Sequence, residues 1–196
     1  MLPLIVITIA CSLLTVDSQA KQAHSKSPCP DERAWTGTYR NFVYGFSIVI
    51  PRGLKGYWNS ARCVPDEKVG CVCMGDHGRF IPLSSETNIE AFVGYQMEPG
   101  SVVDQERQKI SSLRQDETNR EVDVVRSRWF RLGRLHARRF EAHFLHGNKP
   151  IVIDHIIALH KGVEYELILR TSPERYVKDQ IQFERLIASW RLTPRA

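Results

Sequence analysis

Residues 122–169 read as four apolar stretches favouring strands, parted only by the short breaks Gly133-Arg134, Gly147-Asn148 and Lys161-Gly162. Glycine-bearing dipeptides of this kind close tight hairpins, whereas parallel strands need a crossover of a dozen residues or more. Strands at 122–132, 135–146, 151–159 and 163–169 are therefore expected to form an antiparallel meander. One register within it can be argued. A two-residue turn at Gly147-Asn148 would put Pro150 in the ladder and Glu141 opposite Asp154. Proline donates nothing to a ladder and opposed like charges repel. We therefore expect a four-residue loop, 147–150, which sets His143 opposite Asp154. Phe140, Ala142 and Phe144 then share a face with Ile153, His155 and Ile157.

The flanking sequence supplies helices. Pro99-Gly100 precedes a polar helix that starts at Ser101 or Asp104 and carries a thin apolar stripe, Val102, Val103, Ile110 and Leu113. After the meander, Thr171 and Glu174 have capping-box spacing and Pro173 stands in a first helical turn. Tyr176, Phe183, Ile187 and Trp190 then recur at helical spacing. Upstream, Phe46, Ile48 and Ile50 alternate in a strand closed by Pro51, and residues 78–83 and 91–97 read as two more strands. The class this predicts is α+β: an antiparallel β-sheet flanked by helices, in one domain, which 196 residues suffice to fill.

The N-terminus points to export. Residues 2–14 are almost unbroken apolar sequence, short of the roughly 20 residues a membrane span needs, and Ser18-Gln19-Ala20 matches the small-residue preference of signal peptidase. A signal peptide, residues 1–20, cleaved after Ala20 is expected, with secretion or a periplasmic location. The alternative is a lipid anchor at Cys11, following Thr8-Ile9-Ala10. Cleavage removes one acid, Asp17, and no base, leaving 27 basic against 21 acidic residues, a net charge of +6. That excess is compatible with an acidic partner or an anionic surface, and equally with a solubility margin. Four cysteines remain: Cys29, Cys63, Cys71 and Cys73. An even count in an oxidising compartment reads as two disulfides. Cys71 and Cys73 lie two apart in an extended stretch and need separate partners, which leaves 29–71 with 63–73, or 29–73 with 63–71. Either pairing tethers residues 21–38 to the domain. The spacing C-x7-C-x-C-x3-H, ending at His77, lacks the paired ligands of a zinc knuckle, and no C-x-x-C redox motif is present, so no metal is expected.

The opener YGFSIVIP and the closing YELILRTSPERYVKDQIQFERLIASWRL, with a helix and a meander between them, resemble the PsbP-like superfamily over about residues 39–192. That group includes the extrinsic PsbP subunit of photosystem II, a nuclear Ran-release factor and many bacterial secreted proteins and lipoproteins. The resemblance implies a PsbP-like αβα sandwich over residues 39–193. It carries no shared catalytic motif, and it implies a member that binds or scaffolds. The cysteine loop, residues 63–73, departs from the family pattern.

Few constellations suggest chemistry. His143 facing Asp154 is an acid–base candidate, because a carboxylate orients an imidazole and raises its basicity. No serine or cysteine nucleophile can be placed beside it, and a surface pair across a hairpin is the plainer reading. His155, on the apolar face, reads as a hydrogen-bonded core residue. Arg126, Arg128, Arg131, Arg138 and Arg139 are interleaved with Trp129 and Phe130. By parity, Arg126 and Arg128 go with Phe130, and Arg131 and Arg139 with Trp129, so the arginines divide between both faces and cross-strand ion pairs are expected. A partner- or anion-binding patch is the functional alternative; nucleic-acid recognition is less favoured. G-x-S-x-G, H-E-x-x-H and P-loop patterns are missing. The expectation is a secreted or periplasmic, non-catalytic binding or scaffolding module, without cofactor, that recognises a protein partner. Membrane contact is expected only through an N-terminal anchor. Two alternatives stand beside it, a small secreted hydrolase using His143 and Asp154, and an envelope metal-binding protein using Cys63, Cys71 and Cys73.

Overall fold

The computed structural model describes residues 33–194, apart from 53, 60–62, 67–69, 74–75, 82–86 and 97–98. Strands β1 (Arg33–Trp35), β2 (Thr38–Asn41), β3 (Phe46–Val49), β4 (Lys55–Asn59), β5 (Cys63–Asp66), β6 (Gly70–Cys73), β7 (Asp76–Ile81) and β8 (Asn88–Tyr95) precede helix α1 (Val102–Gln115). The meander follows as β9 (Asn119–Leu132), β10 (Leu135–His146), β11 (Lys149–His160) and β12 (Val163–Thr171). Helix α2 (Pro173–Ser189) and β13 (Arg191–Leu192) close the chain. Eight described strands make one antiparallel sheet in the order β1-β4-β7-β8-β12-β11-β10-β9. A second sheet, β13-β3-β2, takes the Phe46 strand out of the main sheet, and β5-β6 form a separate hairpin. The folded body reaches upstream of the expected start at Tyr39, since β1 pairs with β4.

Turn chemistry explains the meander. Lys161 and Gly162 both have positive φ, the signature of a type I′ hairpin, while Gly147 alone is positive in its turn, as type II′ requires. The register expected between β10 and β11 is not the one formed. His146 pairs with Lys149 across a two-residue turn, so Leu145 faces Pro150, Glu141 faces Asp154 and His143 faces Val152. In a two-residue hairpin the pair next to the closing pair is not hydrogen-bonded, so the Pro150 nitrogen points away from β10. On its other side the first β11–β12 pair is Val152 with Thr171, beyond the proline. The missing N–H therefore costs nothing. The two registers differ by two residues, so side chains keep their faces, and Phe140, Ala142 and Phe144 do share one with Ile153, His155 and Ile157.

The sheet is covered on both sides. On one face, Val102, Ile110 and Leu113 of α1 pack against Phe140, Ala142, Phe144, Ile153 and Ile157. On the other, α2 and the three-stranded sheet enclose Phe46, Ile48, Ile156, Leu167, Leu169, Phe183, Leu186 and Trp190. Each such side chain, fully buried, contributes about 1.5–3 kcal/mol relative to exposure. Helix α1 starts at one of its two expected positions, on an N-cap Ser101 that forms a capping box with Asp104. Helix α2 does not. Its N-cap is Ser172 with no side-chain cap hydrogen bond, and Pro173 occupies the first turn. Thr171 ends β12 instead and donates its hydroxyl to Asp179 Oδ2 at 2.7 Å. Among the described residues no helix is long and apolar enough to cross a membrane.

Candidate functional site

The sheet alternation sends charged residues to both faces, and each helix meets a cluster of them. Under α1, Glu106 and Lys109 stand three residues apart and point at the sheet. Glu106 accepts from Arg138 Nε at 2.7 Å and from the Ser127 hydroxyl at 2.8 Å. Lys109 Nζ donates to Glu166 Oε1 at 2.8 Å and lies 3.3 Å from Glu164 Oε1. His155 Nε2 donates to Glu166 Oε2 at 2.8 Å, its ring tilted 5.1 Å from Phe140. Burial alone would raise the Glu166 pKa. The hydrogen bond from His155 and the nearby charges of His155 and Lys109 outweigh it and hold the value at about 2. Glu164 moves the other way, raised by burial and by the carboxylate of Glu166 beside it. A cleft of about 280 Å³ opens here, lined among others by Lys109, Leu113, Asn119, Ile153, His155 and Glu166.

Under α2 the cluster is drier. Arg139 binds Asp154 through two parallel bonds, Nε to Oδ1 at 2.7 Å and Nη2 to Oδ2 at 2.6 Å, and also reaches Glu184 Oε1 at 2.5 Å. Its guanidinium stacks 5.1 Å from the Phe130 ring and 5.9 Å from Phe183. Tyr176 donates to Glu141 Oε2 at 2.8 Å and sits 3.2 Å from Asp154 Oδ2. Burial, the Asp154 charge and the Glu141 bond push the tyrosine pKa well above its usual value. Glu141 also accepts from Arg126 at 2.6 Å and from His143 Nε2 at 3.0 Å. Further along the helix, Asp179 accepts from Thr87, Thr171 and Arg175.

These geometries place the residues singled out from sequence. His143 and Asp154 lie on one face of the sheet but do not touch; Glu141 and Tyr176 stand between them. His143 is exposed, so its contact with Glu141 is a surface pair. Arg126 and Arg139 form cross-strand ion pairs of the expected kind, with Glu141 and Asp154, while Arg138 pairs with Glu106 on helix α1 instead. The parity expectation fails for Arg139. The turn at Gly133-Arg134 pairs even residues with odd ones, so Arg139 faces Arg128 and Arg138 faces Trp129. Arg126, Arg128, Phe130 and Arg139 thus share the α2 face, and Trp129, Arg131 and Arg138 the α1 face. Cys29, like Cys11 and Ala20, lies outside the described residues. Backbone register alone sets Cys63 opposite Cys73 and Cys71 opposite Pro65. No metal-binding group of three or more His, Cys, Asp or Glu occurs among the described residues.

Sequence reading overlooked Glu106, Lys109, Glu164 and Glu166. A signal was present. Glu106 stands four residues from both Val102 and Ile110, inside the apolar stripe of α1, and a carboxylate there needs a buried partner.

Nucleophilic catalysis by a hydroxyl needs a base beside it. A hydroxyl–histidine contact joins Thr118 to His146 at 3.2 Å, on the surface, and that hydroxyl is given to Asp116 at 2.5 Å. The arrangement holds charges in place.

Comparison with known proteins agrees with the architecture. No family model matches the sequence, and no curated protein matches it. Among solved structures, the cyanobacterial PsbP protein CyanoP of Synechocystis sp. PCC 6803 superposes with a TM-score of 0.55 at 12% identity, covering 83% of this chain and 92% of that one. The fold is PsbP-like. LpqN of Mycobacterium tuberculosis gives a TM-score of 0.54 at 8% identity, with the same coverage of 83% and 92%. Identities this low speak for the PsbP-like fold alone.

Proposed function

We propose that the chain is an exported, non-catalytic binding module that recognises a protein partner. The observation that carries this reading is that the buried ionisable side chains are spent on one another in ion clusters, with no nucleophile beside His143 or His155 among the described residues. Export is supported by the apolar leader ending at Ala20. It is also supported by the likeness to LpqN, a protein described as involved in cell envelope biogenesis. Directly opposed residues on antiparallel strands have Cα atoms about 4.5–5.5 Å apart, inside the disulfide range. The β5–β6 register therefore favours Cys63 with Cys73, which leaves Cys71 for Cys29.

Cell fractionation with intact-mass analysis and thiol titration of the denatured, unreduced protein tests this reading. The expected product begins at Lys21, lies outside the cytosol, has no free thiol and captures a reproducible partner on cross-linking. A full-length cytosolic chain with reduced thiols would contradict export, and free thiols that bind a metal would favour the envelope metal-binding alternative. Hydrolysis that disappears in a folded His143→Ala variant would favour an enzyme.

A further inference from the structure

The outer edge of β9 has no strand partner among the described residues, since β9 ends the sheet and pairs only with β10. Resting on the binding role above, we propose that this edge, over residues 126–132, takes an extended acidic segment of a partner protein as an added strand.

An open edge offers a row of backbone N–H and C=O groups, and proteins usually spoil such rows with bulges or charge. Here the bulges are confined to one half. The β9–β10 register slips between Glu141 and Ala142 and again between His143 and Leu145, and Glu121 has φ of 55°. Those irregularities fall within residues 119–125. Residues 126–132 pair without interruption and leave a regular edge.

The charge on that half is one-signed. Arg126, Arg138 and Arg139 are each neutralised by a carboxylate of the fold. Arg128, Arg131 and the turn residue Arg134 are exposed and make no ion pair among the described residues. Trp129 stands 59% exposed beside them, held by the Arg138 guanidinium 5.1 Å from its ring. Arg128 projects on the α2 face, and Trp129 and Arg131 on the α1 face. A strand laid along the edge meets both faces at once, because its own side chains alternate, and carboxylates on it reach both arginines. A phosphate backbone lying on one face would reach only one of them. A second copy of this chain would bring arginine against arginine.

The test uses the purified protein and a fluorescein-labelled heptapeptide with glutamate at every third position and threonine and valine between. Fluorescence anisotropy reads affinity, and amide hydrogen exchange reads β9. The expected result is saturable, salt-sensitive binding that slows exchange of the β9 amides and weakens about tenfold or more in a folded Arg128→Glu/Arg131→Glu variant. Equal binding by a version with proline in place of valine would overturn the added strand, because charge alone would account for it. Equal binding by a lysine version, or tighter binding by a short single-stranded DNA or by anionic phospholipid vesicles, would overturn the acidic peptide. β9 amides already protected in the unliganded protein would mean that residues 1–32 or a second copy cover the edge, and would also overturn it. If the peptide fails while the double variant still captures the cellular partner, this surface is wrong and the binding role stands; if no partner is captured by either form, the role itself falls.

Discussion

The two helices cover opposite faces of one sheet, and both faces bury charge, but in different company. Under α2, Arg139 and Asp154 are bonded twice over, walled by Phe130 and Phe183, and their side chains are 4% and 0% exposed. Under α1, the corresponding cation is Lys109, 31% exposed at the mouth of a cleft. A planar guanidinium answers a carboxylate with two fixed bonds, whereas an ammonium is a point charge that prefers to keep water. The difference teaches that exposure, more than the number of ionised groups, sets what each cluster is worth. In a sealed site the loss of one partner strands a bare charge; in an open one water replaces it.

Several substitutions would break or sharpen that contrast. The largest effect is expected for Asp154→Ala, which leaves Arg139 in the dry cluster with only the half-exposed Glu184 and should cost about 3–5 kcal/mol in urea unfolding. A cost below about 1 kcal/mol would mean that the α2 face is as wet as the other. Glu166→Gln should cost less, about 1–3 kcal/mol at neutral pH, and should change the acid limb. The folded Glu166 titrates at about 2 against an ordinary 4.5, so its stabilising contribution is complete above 4.5 and is lost as pH falls towards 2. The gap between wild type and variant should therefore close across that window. Tyr176→Phe should cost about 0.5–1.5 kcal/mol at neutral pH. Because the tyrosine pKa is raised in the fold, its contribution is complete below the ordinary value of 10.0 and fades as pH rises above it. The variant should lose less stability than wild type on the alkaline side. His143→Ala should be the mildest, within about 0.5 kcal/mol, because its partner contact is in water.

Much of the fold was legible in residues near one another. The glycine dipeptides, the bounds of β10 and the buried face of α2 follow from turn chemistry and periodicity. The β10–β11 register was not, because what tolerates Glu141 opposite Asp154 comes from elsewhere. Arg126 arrives from β9, Arg139 sits two residues before Glu141 on the same strand, and Tyr176 is brought over by α2. Pro150 misled for a similar reason, since whether its missing N–H matters depends on where β12 ends. The α1 cluster was half legible. Glu106 betrays itself by breaking an apolar stripe, but nothing in the sequence places Lys109 over Glu166, 57 residues away. The capping box at Thr171 failed because a strand end and an aspartate on the following helix compete for the same hydroxyl.

The central claim is that the buried charges serve only as one another's partners and do no chemistry, leaving function to an exposed surface. The most direct measurement replaces the Lys109 cluster, its carboxylates included, through Lys109→Met, His155→Phe, Glu164→Gln and Glu166→Leu together, and follows urea unfolding alongside capture of the cellular partner. Because apolar residues of similar volume often substitute for a buried ionic cluster at little cost, we predict a folded protein of near wild-type stability that still captures its partner. A variant that folds equally well but captures nothing would contradict the account and make the α1 cleft the working site.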